Sequence, residues 1–167
     1  MSTVISQRFP FPTLPRGWFV IAYSPDIAPG EVKTLHYFGE DIVVFRGEDG
    51  GLSAVHRYCP HMGAHLGGGE VIGNCLRCPF HHWSFDQEGQ CVDIPYAPKI
   101  PPKAAVKTWS IREQNGVILC WYCPKGEPPA WEPTPSRTRA GRRSGWSAGR
   151  SPRTPRRSPR TPSIART

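Results

Sequence analysis

Cys59-Pro60-His61 and, sixteen residues further on, Cys78-Pro79-Phe80-His81 form the most informative pattern in this chain of 167 residues. Written out, the pattern is C-x-H-x16-C-x2-H. Each half offers one thiolate and one imidazole, so each can present both donors on the same side of a short loop. A single Cys or His is usually a core or surface residue, whereas two such paired segments are rare. The pattern therefore predicts a metal centre held by two loops.

Two cysteines and two histidines presented in this way match one metal group in particular. A 2Fe-2S cluster can be held by two Cys on one iron and two His on the other. We therefore predict that the cluster ligands are Cys59, His61, Cys78 and His81. The Pro after each Cys removes a backbone donor and stiffens its loop, and nearby glycines let the backbone run close to an inorganic core. These glycines are Gly63, Gly67, Gly68 and Gly69.

Zinc is the alternative metal, and two combinations of residues would suit it. One is a four-cysteine site of Cys75, Cys78, Cys120 and Cys123. The other is a Cys3His site of Cys59, His61, Cys75 and Cys78. Both leave His81 without a role, which makes zinc the less favoured prediction. The cysteines and histidines outside the predicted ligand set are expected to be core, structural or surface residues: Cys75, Cys91, Cys120, Cys123, His36, His56, His65 and His82.

The rest of the sequence, up to about residue 122, predicts an all-β fold. Short β-branched and aromatic runs are bounded by Gly, Pro and Asp, and no helical period is evident. The segments Glu48-Asp49-Gly50-Gly51 and Glu113-Gln114-Asn115-Gly116 favour tight hairpins, which indicates mostly antiparallel sheet. The predicted strands are Trp18–Tyr23, Val32–Phe38, Asp41–Arg46, Leu52–His56, Asn74–Arg77, Trp83–Asp86, Val106–Arg112 and Val117–Tyr122.

The net charge of +8 is concentrated at the end of the chain. Ten of the 21 Lys and Arg residues, and none of the 13 acidic residues, lie in 133–167, so residues 1–132 carry eleven basic against thirteen acidic side chains. Residues 133–167 consist largely of Arg, Pro, Ser and Thr and cannot form a core. We expect a mildly acidic folded part followed by a disordered basic tail.

The beginning of the chain has no basic segment followed by an apolar run, as a secretory leader would have. No window approaches about 18 consecutive apolar residues, the length that a membrane-spanning helix needs. We expect no transmembrane segment and a cytoplasmic location. In that compartment six cysteines favour metal ligation over disulfides.

The two segments, with the glycines between them, resemble the Rieske domain of Rieske non-haem iron oxygenases. More narrowly, the chain resembles cholesterol 7-desaturases and ketosteroid 9α-hydroxylases at residues 71–81, 83–86, 94–96 and 109. The resemblance covers about residues 14–132 and implies an antiparallel β-sandwich with a cluster-binding subdomain. We expect an N-terminal extension at 1–13, the Rieske 2Fe-2S domain at 14–123, a linker remnant at 124–132 and the basic tail at 133–167.

The cytochrome bc-type branch of Rieske proteins differs at four positions. That branch has an extra Cys in each loop, where this chain has Ala64 and Phe80. It also has Ser and Tyr donors to the cluster sulfurs, where this chain has Trp83 and Phe85. Fewer donors stabilise less negative charge, so we predict a reduction potential at the low end of the Rieske range, about −150 mV rather than about +300 mV.

The resemblance implies an electron-transfer domain of an oxygenase that hydroxylates or desaturates a sterol, steroid or other hydrophobic substrate. A flavin or ferredoxin-type reductase would supply electrons. An oxygenase catalytic domain or subunit would accept them at a mononuclear Fe(II) held by two His and one carboxylate. No His follows His82, so this chain lacks that triad and is expected to transfer electrons only.

A stand-alone Rieske ferredoxin is the alternative function. The size of the chain favours it slightly, whereas residues 124–132, which resemble an oxygenase linker, do not. For residues 133–167 we consider two origins. The favoured one is a frameshifted or truncated oxygenase gene, and the other is a genuine basic tail that contacts nucleic acid or an acidic partner.

Overall fold

The computed structural model describes residues 14–135, which fold into ten β-strands in three antiparallel sheets. The all-β antiparallel prediction is confirmed. The predicted extension at 1–13 and most of the predicted tail lie outside the described residues. The strands are β1 (Gly17–Tyr23), β2 (Val32–Tyr37), β3 (Glu40–Arg46), β4 (Leu52–His56), β5 (Glu70–Ile72), β6 (Cys75–Arg77), β7 (Ser84–Phe85), β8 (Cys91–Asp93), β9 (Ile111–Gln114) and β10 (Val117–Tyr122). Two short 3-10 turns occupy Ser24–Asp26 and Leu66–Gly68.

The sheet β2-β3-β4 is the middle layer because its central strand is apolar on both faces. Ile42, Val43, Val44 and Phe45 of β3 are all fully buried. Successive side chains of a strand point to opposite faces, so Ile42 and Val44 enter one core and Val43 and Phe45 enter another. Burial of each such side chain contributes about 1.5–3 kcal/mol.

The two cores divide the domain. In the first core, Ile42 and Val44 meet Ile21 of β1 and Ile118 of β10, so the sheet β1-β10-β9 covers one face of the middle layer. The second core lies on the other face, against the small sheet β5-β6-β7-β8 and the predicted ligand segments. Its members from that side include Cys59, Leu66, Leu76, Cys78, Trp83 and Phe85. The predicted cluster-binding subdomain thus consists of this small sheet and the predicted ligand segments, which cover the second core.

Two hairpin turns have positive φ angles at both of their central residues. Asn115 (φ +54°) and Gly116 (φ +78°) connect β9 to β10 in the left-handed conformations that a type I′ turn needs, as predicted. The β2–β3 turn has the same two positive φ angles at Phe38 (+58°) and Gly39 (+83°). A bulky residue is unusual there, and its ring is stacked on Tyr122 of β10 at 4.4 Å. Packing between sheets therefore overrides local preference at Phe38.

Two short strands were not predicted, and one prediction was wrong in position. β5 and β8 have only three residues each, too few for an alternating pattern to emerge. The strand predicted at Val106–Arg112 begins only at Ile111. Residues 105–109 form isolated bridges with Val55 of β4 and with Gln90, which precedes β8, and the Trp109 N–H donates to the Ala54 carbonyl at 2.8 Å. The segment is extended but belongs to no continuous ladder.

The segment after β10, residues 124–133, packs against the sheet β1-β10-β9. The indole N–H of Trp121 donates to the Glu127 carbonyl at 2.9 Å, and that of Trp18 donates to the Trp131 carbonyl at 2.8 Å. Arg112 forms a two-pronged ion pair with Glu132, both N–O distances being 2.8 Å. No helix among the described residues is long and apolar enough to cross a membrane.

Candidate metal centre

The first ligand loop, residues 59–64, is closed by two backbone hydrogen bonds from one residue. The Cys59 N–H donates to the Ala64 carbonyl, and the Cys59 carbonyl accepts from the Gly63 N–H, both at 2.9 Å. Gly63 has φ +73°, a left-handed conformation that glycine adopts without steric penalty. The loop therefore holds His61 in a tight, backbone-bonded turn.

The second ligand loop, residues 78–83, repeats this pattern. The Cys78 N–H donates to the Trp83 carbonyl at 2.9 Å, and the Cys78 carbonyl accepts from the His82 N–H at 3.2 Å. His82 has φ +59°, at the position that Gly63 occupies in the first loop. The two loops thus share one hydrogen-bond scheme, although the predicted ligand is the third residue of the first loop and the fourth residue, His81, of the second.

Backbone contacts outside the loops bring them together. The first loop joins β4 to β5, and the Leu66 N–H donates to the Arg57 carbonyl at 2.7 Å across its base. The second loop joins β6 to β7. Just after the first loop, a Cβ on Gly69 would overlap the carbonyl of Arg77, which leads into the second loop. Glycine at this position allows the two chain segments to cross in contact.

The two predicted thiolate ligands are adjacent and buried, with Cys59 3% and Cys78 2% exposed. Burial raises the pKa of the Cys59 thiol to about 11, and the neighbouring Cys78 thiol adds to the rise. The backbone N–H groups of His61 and Met62 donate to the Cys59 sulfur and oppose this shift. A thiolate at this position needs positive charge beside it at neutral pH, which a bound metal supplies.

The two predicted imidazole ligands are also adjacent. The ring centroids of His61 and His81 lie 4.7 Å apart, with the planes inclined by 68°. The Nδ1 atom of His61 is buried and has no hydrogen-bond partner among the described residues. A buried polar atom left unpaired costs about 1–3 kcal/mol. A metal ion bound at Nδ1 would satisfy this atom, because the nitrogens of neutral imidazole are common metal ligands.

The donor set fits a cluster with two different irons. The structure presents a thiol pair and an imidazole pair, as a centre with two Cys on one iron and two His on the other requires. The four-cysteine zinc combination is not assembled, because Cys78 lies in the second core and Cys120 in the first.

The two imidazoles have different neighbours. The His61 ring is stacked on Trp83, with 4.6 Å between centroids and 8° between planes, and Trp83 is only 9% exposed. The His81 ring instead lies 3.9 Å from that of Phe80, which is 59% exposed. Met62, beside His61 in sequence, is 66% exposed. The ligand loops thus carry apolar side chains on their outer surface.

The remaining histidines near the first loop have structural contacts, as predicted. His65 Nδ1 accepts the Gly67 N–H at 3.1 Å and caps the 3-10 turn that follows. Asp41 lies between two histidines, 2.7 Å from His36 Nδ1 and 3.7 Å from His65 Nε2. The hydrogen bond with His36 lowers the pKa of the Asp41 carboxyl. These contacts hold the first loop against the middle sheet.

Sequence reasoning missed the contacts of Trp83 and Tyr96. Both residues entered the prediction only through resemblance, yet Trp83 contacts a predicted ligand and its indole N–H donates to the Tyr96 hydroxyl at 2.6 Å. Thirteen residues separate them, so no local pattern signals the pair.

Comparisons with known proteins agree with this geometry. Residues 17–110 match the Rieske [2Fe-2S] domain family. The chain is 49% identical over 127 residues to cholesterol 7-desaturase nvd of Hemicentrotus pulcherrimus, covering 73% of this chain and 27% of that protein. It is 43% identical over 116 residues to a probable 3-ketosteroid-9-alpha-monooxygenase oxygenase component of Rhodococcus rhodochrous, covering 69% and 29%.

Solved structures show the same fold. The crystal structure of apo dicamba monooxygenase is similar with a TM-score of 0.57 and 26% identity, over 68% of this chain and 37% of that one. The chain spans 27–29% of the length of the two curated relatives above. The family match, which includes both predicted ligand loops, covers more than half of the sequence. The chain therefore belongs to the Rieske [2Fe-2S] domain family, whose domain binds a 2Fe-2S cluster.

Proposed function

We propose that this domain transfers single electrons within an oxygenase system, and that Cys59, His61, Cys78 and His81 hold its cluster. When bound, the cluster supplies one-electron chemistry at a potential that its ligands and their surroundings tune. We propose residues 14–123 as the extent of the Rieske domain. The observation that carries this proposal is the repeated hydrogen-bond scheme of the two ligand loops.

The protein's own groups would prepare the site in two ways. The loops place the thiols as a buried pair and the imidazoles as an adjacent pair. The N–H groups of His61 and Met62 donate to the Cys59 sulfur, which favours its thiolate form. Such preorganisation lowers the free-energy cost of ordering these side chains when the cluster binds.

The outer surface of the loops suits a transient partner. Met62 (66% exposed) and Phe80 (59% exposed) flank the two predicted imidazole ligands. Electron-transfer encounters use small interfaces, which two exposed apolar side chains beside the predicted ligands would suit. We propose that electrons enter and leave the domain past this surface.

The relatives' names support the proposed partners and substrate class. They are a cholesterol 7-desaturase and a 3-ketosteroid monooxygenase oxygenase component. We propose a flavin or ferredoxin-type reductase as electron donor and, as acceptor, a mononuclear non-haem iron in an oxygenase catalytic domain or subunit. The substrate of that system would be a sterol or steroid that is hydroxylated or desaturated.

Low-temperature EPR after dithionite reduction tests the proposal. We expect a rhombic Rieske-type signal from the purified protein, altered or lost in His81→Cys and retained in His82→Cys. His82 is the matched control because it is adjacent in sequence and exposed. Metal analysis that finds zinc in place of iron in properly matured protein would contradict the electron-transfer function.

A further inference from the structure

Trp83 is in contact with both ligand loops at once. Its backbone carbonyl accepts the Cys78 N–H at 2.9 Å and so closes the second loop. Its indole ring is stacked on His61 of the first loop, with 4.6 Å between centroids and only 8° between planes. Any rotation of this indole would therefore move against the face of a predicted ligand.

The intrinsic torsional preference of Trp leaves that indole one soft degree of freedom. The χ2 torsion of Trp joins an sp³ to an sp² atom, and its energy wells are broad. The indole N–H supplies the missing restraint, because it donates to the Tyr96 hydroxyl at 2.6 Å. This hydrogen bond, together with packing in the second core, sets the plane of the ring on which His61 rests.

Tyr96 is well placed to serve as a fixed acceptor although it is 59% exposed. It lies in a turn closed by the Ala97 N–H, which donates to the Ile94 carbonyl at 3.1 Å. Ile94, at the start of the turn, is only 4% exposed and belongs to the second core. The ring of Tyr96 is also 6.5 Å from that of His81.

We propose that Tyr96 is a positioning residue that acts through Trp83 to set the orientation of the His61 imidazole. The inference rests on the proposed role of His61 as a ligand. Partners outside the ligand sphere fix ring orientation and tune a metal site, and in this site stacking replaces the usual hydrogen bond to the ligand. A surface tyrosine would then control one of the two imidazoles and leave the other unchanged.

Three single variants test this. Tyr96→Phe removes the acceptor and keeps the ring, whereas Trp83→Phe removes the donor. Tyr58→Phe is the matched control, since Tyr58 is also exposed (45%) and its ring packs on His56 and His65, neither of which is a predicted ligand. The measurement is pulsed EPR of the dithionite-reduced holoprotein, which resolves the nitrogen couplings of the two imidazole ligands.

We expect Tyr96→Phe and Trp83→Phe to change one nitrogen coupling, leave the second at its wild-type value and shift the reduction potential in the same direction. The double variant should match Trp83→Phe, because the two residues act as one unit, and Tyr58→Phe should match the wild type. Wild-type couplings in Tyr96→Phe would overturn the inference, as would an equal change in Tyr58→Phe. Because Tyr96 is exposed, the Tyr96→Phe variant still tests the inference if the variant at the buried Trp83 does not fold. Absence of a Rieske signal in the wild type would instead refute the proposed function itself.

Discussion

The two ligand loops have the same backbone hydrogen bonds and different surroundings. In each loop the Cys N–H reaches the sixth residue and the Cys carbonyl accepts from the fifth, whose φ is positive. Yet His61 lies flat on the buried Trp83, while His81 lies beside the exposed Phe80. The shared backbone places two equivalent pairs of donors, and tertiary packing then stacks one imidazole on a buried indole and sets the other beside an exposed phenyl ring.

The largest effect is expected from removing either thiol. Cys59→Ser and Cys78→Ser should each abolish the Rieske EPR signal and reduce bound iron to background, because each loop supplies half of the proposed ligand set. Iron content and EPR of the purified variants measure this. Cys75→Ser, three residues from Cys78, is the control and should retain the cluster. A cluster that survives in one of the two loop variants would show that the loops are not equivalent.

A smaller effect is expected where the two loops cross. In Gly69→Ala the new methyl group would overlap the Arg77 carbonyl, and we expect a loss of about 2 kcal/mol in the free energy of unfolding. At Gly68 the nearest atom to an added methyl group is Pro79 Cγ at 3.8 Å, so Gly68→Ala should change stability by less than about 0.5 kcal/mol. Urea unfolding measures both, and equal losses would show that the crossing is not tight.

The equivalent left-handed positions give a third comparison. Gly63→Ala should destabilise the protein by about 1 kcal/mol, because only glycine has φ +73° without strain. His82→Gly should change stability by less than about 0.5 kcal/mol, since relief of strain at φ +59° is offset by the greater freedom of glycine in the unfolded chain. Thermal unfolding of both variants tests this. A large loss in His82→Gly would show that its side chain stabilises the second loop.

The smallest effect on stability is expected for an ion pair outside both loops, which serves as a control for the loop variants. Arg46, buried at the end of β3, donates two hydrogen bonds to Glu113 of β9, at 2.8 and 3.0 Å. This contact lowers the pKa of Glu113 below 4.5, so its stabilisation is present above about pH 4.5 and is lost as the pH falls through the folded-state value. The Glu113 side chain is 35% exposed, and we expect less than about 1 kcal/mol after solvent screening. Unfolding free energy measured against pH should show this loss, and Glu113→Gln should remove that part of the slope.

The 2Fe-2S cofactor could be predicted from the sequence because the pattern that indicates it is local. Thiolate and imidazole donors lie within three or four residues in each segment, and a loop that short must present them together. The Asn115-Gly116 turn was predictable for the same reason, since its left-handed angles depend on the residues in the turn itself. The short strands β5 and β8 were missed, although β6 and β7, which are no longer, were predicted.

Contacts between distant parts of the chain could not be predicted. Phe38 has a positive φ because Tyr122 stacks on it from another sheet, and nothing within the turn signals this. The link from Tyr96 through Trp83 to His61 likewise depends on three segments meeting in space. Residue type and spacing by themselves determined the all-β class and the 2Fe-2S cofactor, and they predict the four ligands, because those features depend on neighbours along the chain. Only the tertiary structure decided which imidazole is held flat on a buried indole and which lies beside the exposed Phe80 ring, because side-chain packing is set by residues far apart in sequence.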